Sequence, residues 1–468
     1  MAPERSNGDT IVAPATAPGC GAIAIVRLSG PQAPALLESC FQPTQPAAGV
    51  NSFSHHRLVL GKFKAPGGGE PIDQVMAVLM RAPHSYTGED VAEIHCHGSP
   101  AVVSEIVETL CRAGARLAQP GEFTRRAFEN GRIDLAQAEA ICDLVRSATT
   151  AASRQALRQL TGQLSERIGE VHHGLVDFAA EIEARLDFPE EEIGPADHQA
   201  LADLLDRATT TLDDLARQGR RGRLFREGAR VVIVGRPNVG KSSLFNALLG
   251  RERAIVSPHP GTTRDTIECT VDLGGIATML VDTAGWRVGQ DEVERMGVAR
   301  TEGELAVADL LLWVVDGSEP LTDEDHAIAV RVASLPTMVI CSKSDLPTVL
   351  ESATIQALGW SPDRVFRISA LRREGIKEVE QGAMVLLMGD QEAGAGETPI
   401  VSNARHLTLL ERAGEGVAGA RRAFGEGVSG DLVMVEVRGA LAALDDILGR
   451  RFDEEMLDAI FARFCIGK

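Results

Sequence analysis

A multidomain fold that combines α+β and α/β domains with a helical bundle follows from three observations. The first 130 residues alternate β-rich runs with polar, Gly- and Pro-rich connections. A long apolar stripe at helical spacing begins at Leu157, and a matching set of helical stripes lies near the C-terminus. Between the two, Gly-rich and polar motifs each follow or cap an apolar strand run, which marks a P-loop α/β domain inserted into the helical one. The expected boundaries are 1–130 for the N-terminal α+β domain, 131–227 and 389–468 for the two parts of the helical domain, and 228–388 for the insertion.

Taken in order, the N-terminal domain reads as strands at GAIAIVRLSG, HRLVLGKF, DQVMAVLM and DVAEIHCH, separated by connections such as APGGGEP, with a helix near 100–113. Apolar residues at 157, 160, 164, 168, 171, 175, 178 and 182 step by three and four, placing one stripe on a long helix. Its partner is expected over 401–464, where Leu441, Leu444, Leu448, Met456, Ile460 and Phe464 fall on apolar faces. The run RQGRRGRLFR at 217–226 is the best local basic patch, read as a solvated linker before the inserted domain or as an RNA contact.

Length and composition bound the rest. A chain of 468 residues suggests roughly three domains at about 150 residues each, and 44% hydrophobic residues supply their cores. The formal charge of −19 excludes whole-surface attraction to nucleic acid, so any RNA contact is local or borrowed from a partner. Eight cysteines without a CxxC pair fit a reducing cytoplasm. The N-terminal MAPERSNGDT has no signal core, and no run reaches the length of a membrane span, so a soluble cytoplasmic protein is expected.

The inserted domain carries GRPNVGKSS, GTTRD, DTAG, SKSD and SAL in that order from Gly235 to Leu371. Gly235, Asn238, Val239, Gly240, Lys241, Ser242 and Ser243 form a loop whose amides and helix N-terminus wrap phosphates, with Lys241 on the β- and γ-oxygens. Ser242 and Thr263 are the expected protein ligands of magnesium, and Asp282 would hold the metal through water. Thr283, Ala284 and Gly285 complete the phosphate contacts. Asp345 can accept from both the N1 proton and the exocyclic amine of guanine, a donor pair that adenine lacks. Together with Ser342, Lys343 and the Ser369, Ala370, Leu371 turn it predicts GTP as ligand and a Ras-like GTPase fold. Ser342 stands where Asn is usual, which predicts a lost base contact and modest loosening without changed specificity. Trp286 follows DTAG, so the water-orienting Gln of Ras-type proteins is absent. Glu294 in DEVERMG is the candidate replacement, with Glu292 its competitor and a solvated helix-face acid the plainer reading.

These motifs, with DFPEEEI, DTIVAPATAPGCGAIAIVRLSG, SYTGEDVAEIHCHG, QPGEFTRRAFENGRIDLAQAEA and the terminal FCIGK, resemble the MnmE (TrmE) family of tRNA-modification GTPases over essentially the whole chain. The resemblance implies a homodimer whose N-terminal domain binds a tetrahydrofolate one-carbon donor, 5-formyl or 5,10-methylene. It implies a heterotetramer with the FAD-containing flavoprotein MnmG that acts on tRNA, placing a carboxymethylaminomethyl or aminomethyl group on C5 of wobble uridine. Hydrolysis would accompany potassium-dependent pairing of nucleotide domains. Asn238 matches the potassium-binding Asn, and Ser257, Pro258, His259, Pro260, Gly261 and Thr262 match the loop completing the ion's cage, with Ser257, His259 and Thr262 as its members in the metal set. Glu294 matches the water-orienting acid. Arg27, Glu93, Arg132 and Lys468 fall on the folate positions. The sequence departs from the family at Ser342, Trp286 and Cys20.

Two readings compete with this one. A ribosome-associated regulatory GTPase would share the nucleotide motifs but not the N-terminal ones, and a dimeric scaffold would hydrolyse GTP only residually. His95, Cys96 and His97 do not form a zinc set, because a strand turns Cys96 to the opposite face from the two histidines. Cys465 lacks a visible His or Asp partner and reads better as a small buried hydrophobe than as a nucleophile.

Overall fold

The computed structural model describes residues 8–44, 55–187, 195–253, 267–282, 303, 305–389 and 399–468, and every structural statement below concerns these. They divide into two compact units, one of residues 1–142, 160–168 and 441–468, the other of 143–159 and 169–440.

The first unit is built on strands β1 (Ile11–Pro14), β2 (Gly21–Ser29), β3 (Phe41–Pro43), β4 (Val59–Phe63), β5 (Asp73–Met80), β6 (Val91–Gly98) and β7 (Arg116–Leu117). They form one sheet in the order β3-β4-β5-β6-β2-β1-β7, antiparallel throughout except where β1 runs parallel to β7. Two-residue alternation decides what each face carries. Ala24, Val26 and Leu28 of β2 and Ala92, Ile94 and Cys96 of β6 enter the core with Ile106 and Leu110 of α2 (Pro100–Arg112), while α1 (Ala33–Cys40) adds Leu37. Arg27 and Glu93 are thereby left on the opposite face, directly paired in the β2–β6 register. The sequence reading identified α2 but not α1 or α3 (Glu122–Glu129), both too short for a clear period.

Beside α3 lie the start of α4 (Leu135–Arg146) and the last helix, α14 (Glu454–Phe461). Phe128, Leu135, Ala138, Ile141, Leu457, Phe461 and Phe464 make their shared core. Arg125 of α3, only 6% exposed, binds Glu129 at 2.6 Å and Glu454 and Asp458 of α14 at 2.5 Å each. Gly121 has φ +70°, and a Cβ there would lie 2.7 Å from the Phe461 carbonyl oxygen, so the α3–α14 approach requires glycine.

The predicted single helix from Leu157 is instead two helices, α5 (Thr150–Leu160) and α6 (Gln163–Asp187). Gly162 at φ +90° ends the first, and Leu157 is exposed, while Leu164, Ile168, Val171, Leu175, Phe178 and Ile182 keep the buried stripe. In the second unit, α7 (Pro195–Glu227) packs on α12 (Ala404–Gly425) through Leu205, Leu212, Leu215, Leu410, Ala413 and Val417, and α6 meets α12 through Phe178 and Phe424, 5.4 Å apart. Glu183 of α6 pairs with Arg438 of α13 (Gly430–Leu448) at 2.8 Å.

The basic run 217–226 is not a linker but the last turns of α7. Arg220 pairs with Glu411 at 2.6 Å, Arg223 with Glu227 at 2.7 Å and Arg226 with Asp143 at 2.8 Å. Two of these carboxylates are distant in sequence and Glu227 lies one turn on, so much of the run's charge is already paired.

The inserted sheet has the order β13-β12-β11-β8-β10-β9, from β8 (Ala229–Val234), β9 (Ile267–Leu273), β10 (Ile276–Asp282), β11 (Leu310–Asp316), β12 (Thr337–Ser342) and β13 (Val365–Arg367). All pairings are parallel except β9 with β10. The central strands are apolar on both faces because helices cover both: α8 (Lys241–Arg253) and α11 (Ile376–Met388) border one core, α9 (Asp323–Val332) and α10 (Ser352–Ala357) the other. The C-terminal ends of β8, β10 and β12 lead into or carry motif residues, as ligand sites in such sheets do, and β11 ends beside them at Asp316.

Candidate functional site

The phosphate loop is shaped by backbone needs that few residues meet. Gly235 leaves β8 at φ +153°, and a Cβ there would lie 2.4 Å from the Val314 carbonyl oxygen of β11. Asn238 at φ +65° and Gly240 at φ +104° complete the turn into α8. Lys241 is the first residue of α8 and is 6% exposed. Burial lowers its ammonium pKa, partly countered by Asp282, and Nζ donates to the Arg236 carbonyl at 2.9 Å. A buried ammonium at a helix N-terminus, with a backbone carbonyl its recorded acceptor, suits a phosphate.

The metal expectation meets a donor set of the right chemistry. Ser242 Oγ donates to Asp282 Oδ2 at 2.8 Å, and Asp282 Oδ1 is buried with no partner among the described residues. Hydroxyl and carboxylate oxygens converging at an unpaired lone pair fit magnesium, which keeps much of its water. Thr263, Ser257, Pro258, His259, Pro260, Gly261, Thr262, Thr283, Ala284, Gly285, Glu292 and Glu294 lie outside the described residues.

At the base end, Ser369 Oγ donates to Asp345 Oδ1 at 2.6 Å and lowers the carboxyl pKa, keeping it an acceptor. Lys343, at φ +57°, pairs with Asp316 at 2.5 Å. Burial of Asp316 would raise its pKa, but hydrogen bonds from Lys343 and Ser318 outweigh this and lower it. Ser342 is buried, and its hydroxyl points at the Val239 and Val315 carbonyls, 2.5 and 3.0 Å away. Its hydroxyl is thus a brace between β11, β12 and the phosphate loop, whereas the sequence suggested only a weakened base contact.

Asp316 and Arg236 escaped the sequence reading. Asp316 ends the apolar strand LLLWVVD opposite Ser342, a position that signals a site residue once β11 and β12 are known to be neighbours. Arg236 pairs with Glu319 at 2.6 Å and Asp325 at 3.2 Å, tying the loop to the N-terminus of α9, whose capping box at Thr322 uses the same Asp325.

In the first unit, Arg27 pairs with Glu93 at 2.8 Å, lies over the rings of Tyr86 and Phe123 at 5.3 and 5.8 Å, and donates to the Gly467 carbonyl at 3.4 Å. Glu93 also faces His95 Nε2 at 3.4 Å. Gly467, at φ +93°, sits so close to Pro14 that a Cβ would lie 2.0 Å from its carbonyl oxygen, which brings Lys468 beside β1. Three of the four folate candidates, Arg27, Glu93 and Lys468, are thus gathered. Arg132 lies on the turn after α3, next to Gly88, and among the described residues makes no ion pair with Glu93. Tyr86, Phe123 and His95 surround the Arg27–Glu93 pair; they lie within the motifs SYTGEDVAEIHCHG and QPGEFTRRAFENGRIDLAQAEA, but nothing in the sequence assigned them to it.

Two family models cover nearly all of the chain: GTP-binding protein TrmE N-terminus over residues 10–132 and MnmE helical domain over 135–465. The chain belongs to the MnmE family of tRNA-modification GTPases. It is 45% identical over 98% of its length to the tRNA modification GTPase MnmE of Moorella thermoacetica, covering 99% of that protein. It is 44% identical to that of Heliobacterium modesticaldum and 44% to that of Chloroflexus aurantiacus, over 98% of this chain and 100% of each. MnmE membership accounts for one chain carrying both a phosphate loop and the N-terminal pair Arg27–Glu93. Among the described residues no group of His, Cys, Asp or Glu could hold a metal by itself, and no helix is long and apolar enough to cross a membrane; Cys465, expected to be buried, is instead exposed next to the chain's last turn.

Proposed function

We propose that this chain is a cytoplasmic, potassium-dependent GTPase which, as a homodimer joined to the flavoprotein MnmG, helps to modify C5 of the wobble uridine of tRNA. In this reading residues 228–388 form the nucleotide domain, 131–227 and 389–468 the helical domain, and 1–130 the folate domain. The observation that carries it is the meeting of Arg27, Glu93 and the Gly467 carbonyl, for a regulatory GTPase alone has no use for such a constellation.

Lys241 and the loop amides would grip the β- and γ-phosphates, and Ser242, with Asp282 acting through water, would hold magnesium, which would supply positive charge at the phosphoryl oxygens. Asn238 would offer an oxygen to potassium, with Ser257, His259 and Thr262 as further members of its set, and Thr263 would join Ser242 on magnesium. Glu294 orients the attacking water. Asp345 selects guanine. In the N-terminal domain Glu93 accepts from the pterin amino edge, and Arg27, Arg132 and Lys468 hold the folate's oxygens. The folate supplies the one-carbon unit, and FAD on MnmG the redox chemistry.

The test is GTP hydrolysis in potassium against sodium at equal ionic strength, for the wild type and Glu294→Ala, with nucleotide-domain pairing followed in parallel. Hydrolysis and pairing should be potassium-specific, and Glu294→Ala should lose hydrolysis by about 100-fold. Equal rates in both salts, untouched by the substitution, would sink the mechanism. With MnmG, folate and tRNA added, Glu93→Ala should abolish modification while leaving hydrolysis intact.

A further inference from the structure

Guanine offers two edges. The Watson–Crick edge presents donors at N1 and N2, and the other edge presents the acceptors N7 and O6. A protein group that reads N7 must therefore donate a proton. Two side chains that end or follow β12 could supply one, Ser342 and Lys343, and both are engaged. A serine hydroxyl has a single proton. Both contacts of Ser342 Oγ, Val239 O at 2.5 Å and Val315 O at 3.0 Å, are carbonyl oxygens that only accept, so the proton is directed into the protein. The Lys343 ammonium is held by Asp316, itself buried, at 2.5 Å. The Ser344 amide is likewise spent on the Ile368 carbonyl at 3.0 Å. Asp345 follows them directly, with its carboxylate set by Ser369, ready for the N1 and N2 donors.

We infer that this chain recognises guanine by its Watson–Crick edge, through Asp345, and leaves N7 unread, with Ser342 acting as a positioning residue that fixes the phosphate loop to β11 and β12. The inference deepens the nucleotide reading above and rests on it. The side chain that usually starts this motif, an asparagine, has two amide protons and can brace a carbonyl while donating with the other. A serine must choose, and burial chooses for it: an unpaired Val239 carbonyl in a water-poor contact is a worse outcome than an N7 that water can reach.

The discriminating probe is 7-deaza-GDP, in which N7 is replaced by C–H and the Watson–Crick edge is unchanged. Its affinity for the full-length chain with magnesium is compared with that of GDP, for the wild type, Ser342→Ala and Ser342→Asn. The wild type should bind the two nucleotides within about twofold of each other, because no hydrogen bond to N7 is lost. Ser342→Ala should weaken both by about three- to tenfold with the ratio unchanged, as removal of one buried hydrogen bond predicts. Ser342→Asn should prefer GDP over 7-deaza-GDP by about three- to tenfold, having gained the missing donor. A wild type that binds 7-deaza-GDP fivefold or more weaker than GDP, with the difference erased in Ser342→Ala, would show that the serine donates to N7 and would overturn the inference while leaving the GTPase reading standing. Failure of both nucleotides to bind would overturn the two together. The wild-type ratio needs no variant, so misfolding of either substitution leaves the test intact.

Discussion

At the scale of single residues, the site is governed by how many protons each group has to give and which of them are engaged. The Asp345 carboxylate, in the proposed site, accepts from the N1 proton and the exocyclic amine of guanine, and Ser369 orients one of its oxygens at 2.6 Å. Asp345→Asn replaces one acceptor by a donor, which suits the N1–H and C2 carbonyl of xanthine instead. Nucleotide competition should show a preference shifted from GDP to XDP by at least about 100-fold, since a site built to hydrogen-bond one edge rejects its mismatch strongly. Ser242 and Asp282 make the parallel case for the metal. Ser242→Ala removes the hydroxyl that donates to Asp282 and that is proposed to ligate magnesium, and a magnesium titration of hydrolysis should move to about tenfold higher concentration. Most of the phosphate loop was legible from sequence, because the turn needs Gly235 and Gly240 locally, while the ties of Arg236 to Glu319 and Asp325 were not. The engagement of Ser342 was not, because its acceptors lie 103 and 27 positions away.

At the scale of elements, close approach and charge clamps fix where helices and hairpins end up. Within the second unit, the β9–β10 turn is seated against α5 and α7. Thr149 Oγ1 donates to the Gly275 carbonyl at 2.6 Å, and a Cβ on Gly275, at φ +97°, would lie 2.7 Å from that of Ala151. Because β10 ends at Asp282, this seat holds one end of the strand whose other end faces the metal position. Gly275→Ala should destabilise by about 2 kcal/mol, from left-handed backbone strain plus overpacking, seen as a lowered midpoint in urea. In the first unit Arg125 performs the equivalent task for α14. Arg125→Ala leaves Glu129, Glu454 and Asp458 to repel one another. It should loosen α14 by about 1–3 kcal/mol, read as faster amide exchange over 454–468, with the partners' exposure keeping the loss moderate. The helix break at Gly162 belongs to this scale too. A stripe repeating every three or four residues continues in phase across a two-residue turn, so periodicity alone reads one helix where a positive-φ glycine makes two.

At the scale of the molecule, the first unit is tied together by a charge network that makes it sensitive to acid. Asp9 binds Arg116 and Arg126, and Glu122 binds the same two arginines. Burial works to raise both carboxyl pKa values, but the arginine hydrogen bonds and charges prevail and hold them below their ordinary 3.8 and 4.5. Groups depressed on folding add stability that is fully present above their unfolded pKa and lost as pH falls through the folded one. Urea midpoints should therefore be level from pH 7 to about 5 and fall below about 4.5, with Glu122→Gln flattening the fall and lowering the neutral-pH midpoint. The formal charge of −19 adds the same preference for moderate salt that any strongly acidic surface has.

The sequence by itself determined the nucleotide chemistry, the inserted α/β domain and the family, because those are written in contiguous runs whose backbone geometry is local. Only the tertiary structure decided that Arg27, Glu93 and the C-terminal Gly467 meet across separations of 66 and 440 residues, and that Arg220 and Arg226 pair with Glu411 and Asp143. It also decided that Ser342 spends its proton on the protein. In each case a side chain's partner is chosen by packing between elements far apart in the chain, and no local pattern of residues encodes that choice.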